Sequence, residues 1–190
     1  METLKLSSEH FKKSNSYWSD YIGTADVSSF NWNIEIEWGL WYVKFSSIKV
    51  KWYIIAWAGS GIKAGEGIKA GLGIEVGLGI KAGSGIKAGS GIKAGSGIKA
   101  GWGIKAGWGI KAGEGIKAGL YITCKLTLSF SYKIFAWICT WRNIEDSEKT
   151  ITCGKKEWNW VIEYWILVET WLPVKKVNED GKKYKLVSID

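Results

Sequence analysis

GSGIKAGEGIKAGLGIEVGLGIKAGSGIKAGSGIKAGSGIKAGWGIKAGWGIKAGEGIKAG, residues Gly59 to Gly119, repeats Gly-Ile-Lys-Ala-Gly-x without insertion and places isoleucine at 62, 68, 74, 80, 86, 92, 98, 104, 110 and 116. A fixed short period marks a solenoid, because one repeat cannot bury its apolar side until a neighbour stacks on it. Ile-Lys-Ala is a minimal strand: alternation sends Ile and Ala to one face and Lys to the other. Gly-x-Gly then makes a corner, where two glycines permit positive φ on either side of x. The variable residue is Ser, Glu, Leu or Trp, a range that suits an exposed corner and no packed interior. A helix is disfavoured, since each of two glycines per six residues costs about 1 kcal/mol relative to alanine. Collagen-like packing fails, because the glycines are not three apart and the chain has one proline. An antiparallel meander keeps the same facial pattern and stays open as the alternative.

Three hexads per coil predict an all-β fold, a three-sided parallel β-helix of about 18 residues per coil, with stacked residues about 4.8 Å apart. The lysines then sort into columns: Lys63, Lys81, Lys99 and Lys117; Lys69, Lys87 and Lys105; and Lys93 and Lys111 beneath Glu75. The corners sort into Ser60, Leu78, Ser96 and Glu114; Glu66, Ser84, Trp102 and Leu120; and Leu72, Ser90 and Trp108. Trp102 and Trp108 fall on neighbouring corners of one coil, flanking the face that carries Lys105.

Outward from the block, irregular triplets begin at Ile34-Glu35-Ile36 and run through Leu40-Trp41-Tyr42, Ile48-Lys49-Val50 and Ile54-Ile55-Ala56. After it the same register continues through Ile122-Thr123-Cys124, Leu128-Ser129-Phe130 and Ile134-Phe135-Ala136. Larger side chains in the alanine slot fit the closed ends of the stack. The expected organisation is an N-terminal arm or cap over 1–25, either a short helix from Ser7-Ser8-Glu9 with Tyr17, Trp18 and Tyr21 docked on the first coil or a disordered tail. A solenoid follows over 26–171 and a C-terminal hairpin over 172–190, turning at Asn178-Glu179-Asp180-Gly181. The polar run 140–149 reads as a surface loop.

Composition bounds function. At 190 residues and 46% hydrophobic content the chain suits one domain, and its 14 tryptophans lie mostly outside the repeat, where they fill aromatic-rich caps. The net charge is +8, and nine lysines against Glu66, Glu75 and Glu114 give the repeat most of it, which favours an anionic partner. No apolar run reads as a secretory signal or membrane span, and three cysteines, an odd number, suit a cytoplasmic protein with reduced thiols.

Chemistry is sparsely supplied. His10 is the single histidine, so a nucleophile–base constellation would have to sit on the N-terminal segment. We therefore expect no enzyme, no catalytic residue and no cofactor. Cys124, Cys139 and Cys153 lack the paired spacing of zinc ligands, so no metal is expected. Cys124 and Cys153 fall in the alanine slot, where a thiol acts as a small hydrophobe. No GxxxxGK[ST] string makes a phosphate loop. Lysine on a flat β-face keeps a solenoid soluble, and recent duplication would make it uniform. The competing reading is a binding surface made of Lys63, Lys69, Lys81, Lys87, Lys93, Lys99, Lys105, Lys111 and Lys117 with Trp102 and Trp108. Lysine without arginine implies sequence-independent, salt-sensitive contact with phosphates, and exposed tryptophan adds a stacking platform for unpaired bases.

The hexad period resembles that of left-handed β-helix acyltransferases, whose histidine base has no counterpart in these repeats. The Gly-Ile-Lys-Ala-Gly hexads resemble the coils of bactofilins, which implies a self-assembling scaffold or homo-oligomer. Together with Leu120-Tyr121-Ile122-Thr123-Cys124, Ile134 to Arg142 and Thr150-Ile151-Thr152-Cys153-Gly154, the block is similar to small repeat proteins of bacteria and their mobile elements. Some compact proteins of that origin, including phage ones, inhibit CRISPR nucleases by occupying their RNA-binding channels. That resemblance implies a partner such as RNA or a CRISPR ribonucleoprotein, and no membrane.

Overall fold

The structure is a computed structural model that describes residues 2–136, 150–156 and 166–169. The run 140–149, Cys139 and the segment 172–190 lie outside the described residues. Three sheets of eight, eight and seven strands, parallel throughout except for one antiparallel pair at the N-terminal end, wind as a β-solenoid. Ile80 pairs with Ile98 and Ile86 with Ile104, which sets eighteen residues per coil in the regular block. Every strand from Ile68–Ala70 to Ile116–Ala118 buries its first and third residues and exposes its second. The core is therefore a column of Ile and Ala, with larger residues in some alanine slots of the flanking coils. Ile36, Phe45 and Val50 stand in register with Ala56, Ala64 and Ala70, and Phe130 with Ala112.

Glycine forms the corners for a reason other than the expected one. Positive φ occurs only at Gly39, Trp41 and Gly59 among the described residues, so no corner beyond the first residue of the block uses it. Within the block the glycine after alanine is needed because its Cα lies under a carbonyl one coil earlier. A Cβ on Gly83, Gly89 or Gly101 would lie 1.9 Å from the oxygen of Gly65, Gly71 or Gly83. The glycine before isoleucine is less confined at Gly85, Gly91 and Gly97, and at Gly91 the nearest atom to an added Cβ is 3.5 Å away.

Two other expectations change. The inward triplet of the early coil is Val43-Lys44-Phe45, paired with Ile62-Lys63-Ala64, and not Leu40-Trp41-Tyr42. The left-handed residues Gly39 and Trp41 lengthen the preceding corner, so the strand enters the sheet later. Ser60, sorted with exposed corners, is fully buried. Its hydroxyl accepts a hydrogen bond from the Leu40 amide at 3.0 Å and donates one to the Glu37 carbonyl.

The first 25 residues carry strands of the solenoid itself. Thr3–Leu6 pairs in parallel with Asn33–Ile36. A 3-10 turn over Ser8–His10 leads into Phe11–Lys13, which pairs antiparallel with Trp18–Tyr21, and the latter stacks on the Trp41–Phe45 strand. Phe11, Tyr21 and Phe45 meet with ring centroids 5.3 to 5.9 Å apart. Phe30 exchanges hydrogen bonds with Lys49 and Lys51, covering the exposed edge of the third sheet. After the block, Ile122–Cys124, Thr127–Phe130, Ile134–Phe135 and Thr150–Cys153 extend the same stack, and Ile166–Glu169 pairs in parallel with Thr150–Cys153. Among the described residues no helix is long and apolar enough to cross a membrane.

Candidate functional site

The outward residue of each triplet decides what a face presents. On one face Lys44, Lys63, Lys81, Lys99 and Lys117 stand in unbroken register. Asp20 leads this five-lysine face and forms an ion pair with Lys44 at 3.2 Å. A hydrogen bond from the Ser14 side chain, and then Lys44, hold the Asp20 carboxyl below its ordinary range. On the next face Lys49, Lys69, Lys87 and Lys105 are in register, followed by Thr123. The third face is mixed: Lys5, Glu35, Ile55, Glu75, Lys93, Lys111 and Ser129 succeed one another. There Lys93 bonds Glu75 at 2.5 Å.

Neighbouring lysines in a row repel by somewhat under about 1 kcal/mol in water. Salt screens this further, so strand pairing easily holds the rows together. At the N-terminal end the chain itself satisfies some cations. The Lys63 ammonium lies 4.0 Å from the Trp18 ring centroid and that of Lys81 4.9 Å from Tyr42, contacts of the cation–π kind. The Tyr42 ring covers Gly61 and reaches Gly79, and this burial raises its phenol pKa. Among the described residues Lys69, Lys87, Lys99, Lys105, Lys111 and Lys117 have no acidic or aromatic partner.

The corners are held by their own backbone ladders. The Trp102 amide donates to the Ser84 carbonyl at 3.1 Å and the Leu120 amide to the Trp102 carbonyl at 2.8 Å. The Trp108 amide donates to Ser90 at 3.0 Å. Both indoles are well exposed, Trp102 at 55% and Trp108 at 63%. Trp102 stands between the five-lysine and four-lysine faces, with Lys99 and Lys105 on the strands either side of it. Trp108 stands between the four-lysine and mixed faces. It borders an open groove of about 550 Å³ along the mixed face, lined also by Tyr53, Ile55, Glu75, Lys93 and Lys111.

Tyr121 was missed by sequence reasoning. Its ring lies where a side chain on Gly103 would be, next to Trp102 in the chain. The signal was present: a tyrosine replaces glycine in the position before Ile122, where a hexad has only backbone.

His10 sits on the 3-10 turn, its Nδ1 accepting from the Ser7 amide at 3.2 Å and lying 3.1 Å from the Ser7 hydroxyl. That hydroxyl donates to Glu9 at 2.9 Å. This arrangement closes the turn and lies among neighbours in sequence. Cys124 and Cys153 are buried. Burial pushes the Cys124 thiol up to about 11, away from a reactive thiolate. Among the described residues no three His, Cys, Asp or Glu side chains converge on a metal-binding geometry.

The chain matches no protein-family model, no curated protein and no solved structure.

Proposed function

We propose that the protein is a cytoplasmic, non-enzymatic binding protein that docks its lysine faces and corner tryptophans on a nucleic acid or ribonucleoprotein. The observation that carries this reading is the pair of adjacent faces with unbroken lysine rows, beside a third face whose charges are mixed and partly paired. Solubility alone would be served by mixed charge on every face, as on the third. Two rows of one sign, each spaced by strand stacking, instead concentrate positive potential along one side of the prism. Because lysine is a point charge without a bidentate fork, contact would fall on phosphates irrespective of base sequence. The concrete candidate is an RNA-guided CRISPR nuclease whose RNA-binding channel the solenoid would occupy as an inhibitor of phage type.

The test is recovery of bound material from host cells by the tagged protein, with and without nuclease treatment. RNA, or a large RNA-containing enzyme, is expected in the eluate. It should be absent when Lys81, Lys87, Lys99 and Lys105 are all changed to Glu and the circular dichroism spectrum is unchanged. Equal recovery by the fourfold variant would remove the lysine rows from the account.

A self-assembling scaffold is the second reading. Against stacking through the N-terminal end stand the antiparallel turn of Phe11–Lys13 on Trp18–Tyr21 and the edge covered by Phe30, devices that blunt open sheet edges. Sedimentation at two protein concentrations should show one species of unchanged size, and growth with concentration would favour the scaffold.

A further inference from the structure

Resting on the reading above, we infer that the edge at Trp102, between the two lysine faces, binds an unpaired nucleic-acid strand, a base stacking on the indole while flanking phosphates meet lysines on both sides.

The argument begins with what surrounds each exposed corner tryptophan. In its own coil Trp102 has Lys99 before it and Lys105 after it. One coil earlier the same two faces carry Lys81 and Lys87, and one coil later Lys117 and Thr123. Five of six outward positions around this indole are cations, and none of the five forms an ion pair among the described residues. Around Trp108 the corresponding positions are Lys105, Lys111, Lys87, Lys93, Thr123 and Ser129. There Lys93 is already neutralised by Glu75, and the coil below offers two hydroxyls and no charge.

The edge is also shaped for a flat ring. Ser84 precedes Trp102 in its corner column, so a small side chain adjoins one side of the indole. Gly67 and Gly85 leave the neighbouring column bare of side chains, and Tyr121 folds over the next member, Gly103. A strand laid along this edge would meet Trp102 and Tyr121 as aromatic platforms and Lys87, Lys99, Lys105 and Lys117 as phosphate partners. A duplex keeps its bases inside and could use only the lysines. Stacking on aromatic side chains tolerates any base, as the absence of arginine forks here also demands.

Fluorescence polarisation with a labelled oligouridylate and a labelled RNA duplex of equal length tests the assignment. Wild-type protein should bind the single strand more tightly than the duplex. Trp102→Ala should weaken single-strand binding by about 5-fold or more with an unchanged salt slope, and Trp102→Tyr should restore most of it. Changing Lys99 and Lys105 together to Glu should reduce the slope of log affinity against log salt by about 1.4 or more. Trp108→Ala should weaken single-strand binding less than Trp102→Ala does, and a Lys93→Glu, Lys111→Glu pair less than the Lys99, Lys105 pair. All replaced side chains are exposed, and unchanged melting temperatures would show that the variants fold. Equal losses at Trp102 and Trp108, or duplex binding as tight as single-strand binding, would overturn the edge assignment while leaving a nucleic-acid-binding solenoid. Failure of wild-type protein to bind either probe at low salt would overturn both.

Discussion

The Cα of Gly89 lies so close beneath the carbonyl of Gly71, one coil earlier, that a Cβ there would sit 1.9 Å from the oxygen. Two residues on, a Cβ at Gly91 would lie 3.5 Å from the Gly109 oxygen, an ordinary contact. The two glycines of one corner therefore do different things. At Gly89, after alanine, the missing side chain lets the coils stack at β-sheet spacing, whereas at Gly91, before isoleucine, a side chain would meet only an ordinary contact.

Gly89→Ala should destabilise the protein by about 1–3 kcal/mol or more, the range of overpacking in a close-packed interior. Gly91→Ala should be neutral, or stabilising by a few tenths up to about 1 kcal/mol, through the less flexible unfolded chain. Urea denaturation of the two variants measures the contrast. Equal costs would mean that turn conformation, and not stacking distance, selects both glycines.

Removal of residues 83–100, one full coil, joins Ala82 to Gly101 and leaves every remaining triplet on its own face. Because a solenoid's stability is close to a sum over repeats and their interfaces, the deletion should fold with an unchanged β-sheet spectrum and a modestly lower melting temperature. Removal of residues 83–91 deletes two corners and the strand between them and joins Ala82 directly to Ile92 without a turn, so that product should aggregate or fail to fold. Similar behaviour of the two deletions would contradict the eighteen-residue coil seen in the pairing of Ile80 with Ile98.

The regular coils, the lysine columns and the place of Trp102 were legible because an identical hexad leaves one way to satisfy both Ile burial and strand pairing. Glu75 also advertised the mixed face, and the structure adds that it holds Lys93. The irregular coils were less legible. Val43 and Phe45 are buried, yet the preceding Leu40-Trp41-Tyr42 is as apolar and β-prone, and only the left-handed backbone of Gly39 and Trp41 decides between them. Thr3–Leu6 escaped because its partner Asn33–Ile36 is thirty residues away and no glycine punctuates the connection as in the repeat. Ser60 escaped because serine fills exposed corners elsewhere in the block, and its burial follows from the longer corner that it braces.

Ser60 tests that brace. Its hydroxyl serves both Leu40 and Glu37 across the widened corner, and no other serine in the block is fully buried. Ser60→Ala removes both bonds and leaves the Leu40 amide and Glu37 carbonyl without that partner, a change that costs about 1–3 kcal/mol when such groups stay buried. Thermal melts of Ser60→Ala beside Ser96→Ala, an alanine change at a less buried site of the same corner column, should show a loss only in the first. An equal effect at both positions would mean that the Glu37–Leu40 corner holds its shape unaided.

Cys124 gives a pH dependence with a defined sign. It fills the slot that Ala106 fills one coil earlier, its Sγ lies 3.5 Å from the Thr127 carbonyl oxygen, and burial raises its pKa from 9.0 to about 11. A raised folded-state value favours the neutral thiol, so its contribution to stability is complete below pH 9 and is lost as pH rises towards 11. Cys124→Ala replaces the thiol with the residue usual at that slot. The stability difference between wild type and Cys124→Ala should be constant at neutral pH and shift against the wild type between pH 9 and 11. Subtracting the variant also cancels the alkaline contribution of Tyr42, whose pKa burial likewise raises. Because burial holds the Cys124 thiol neutral at pH 8, a thiol reagent should label it slowly until denaturant is added. The measurement is best made with Cys139 and Cys153 changed to Ser and Ala, so that a single thiol reports. Rapid labelling of the folded protein, or a stability difference independent of pH up to 11, would show that this sulfur is not held inside the stack.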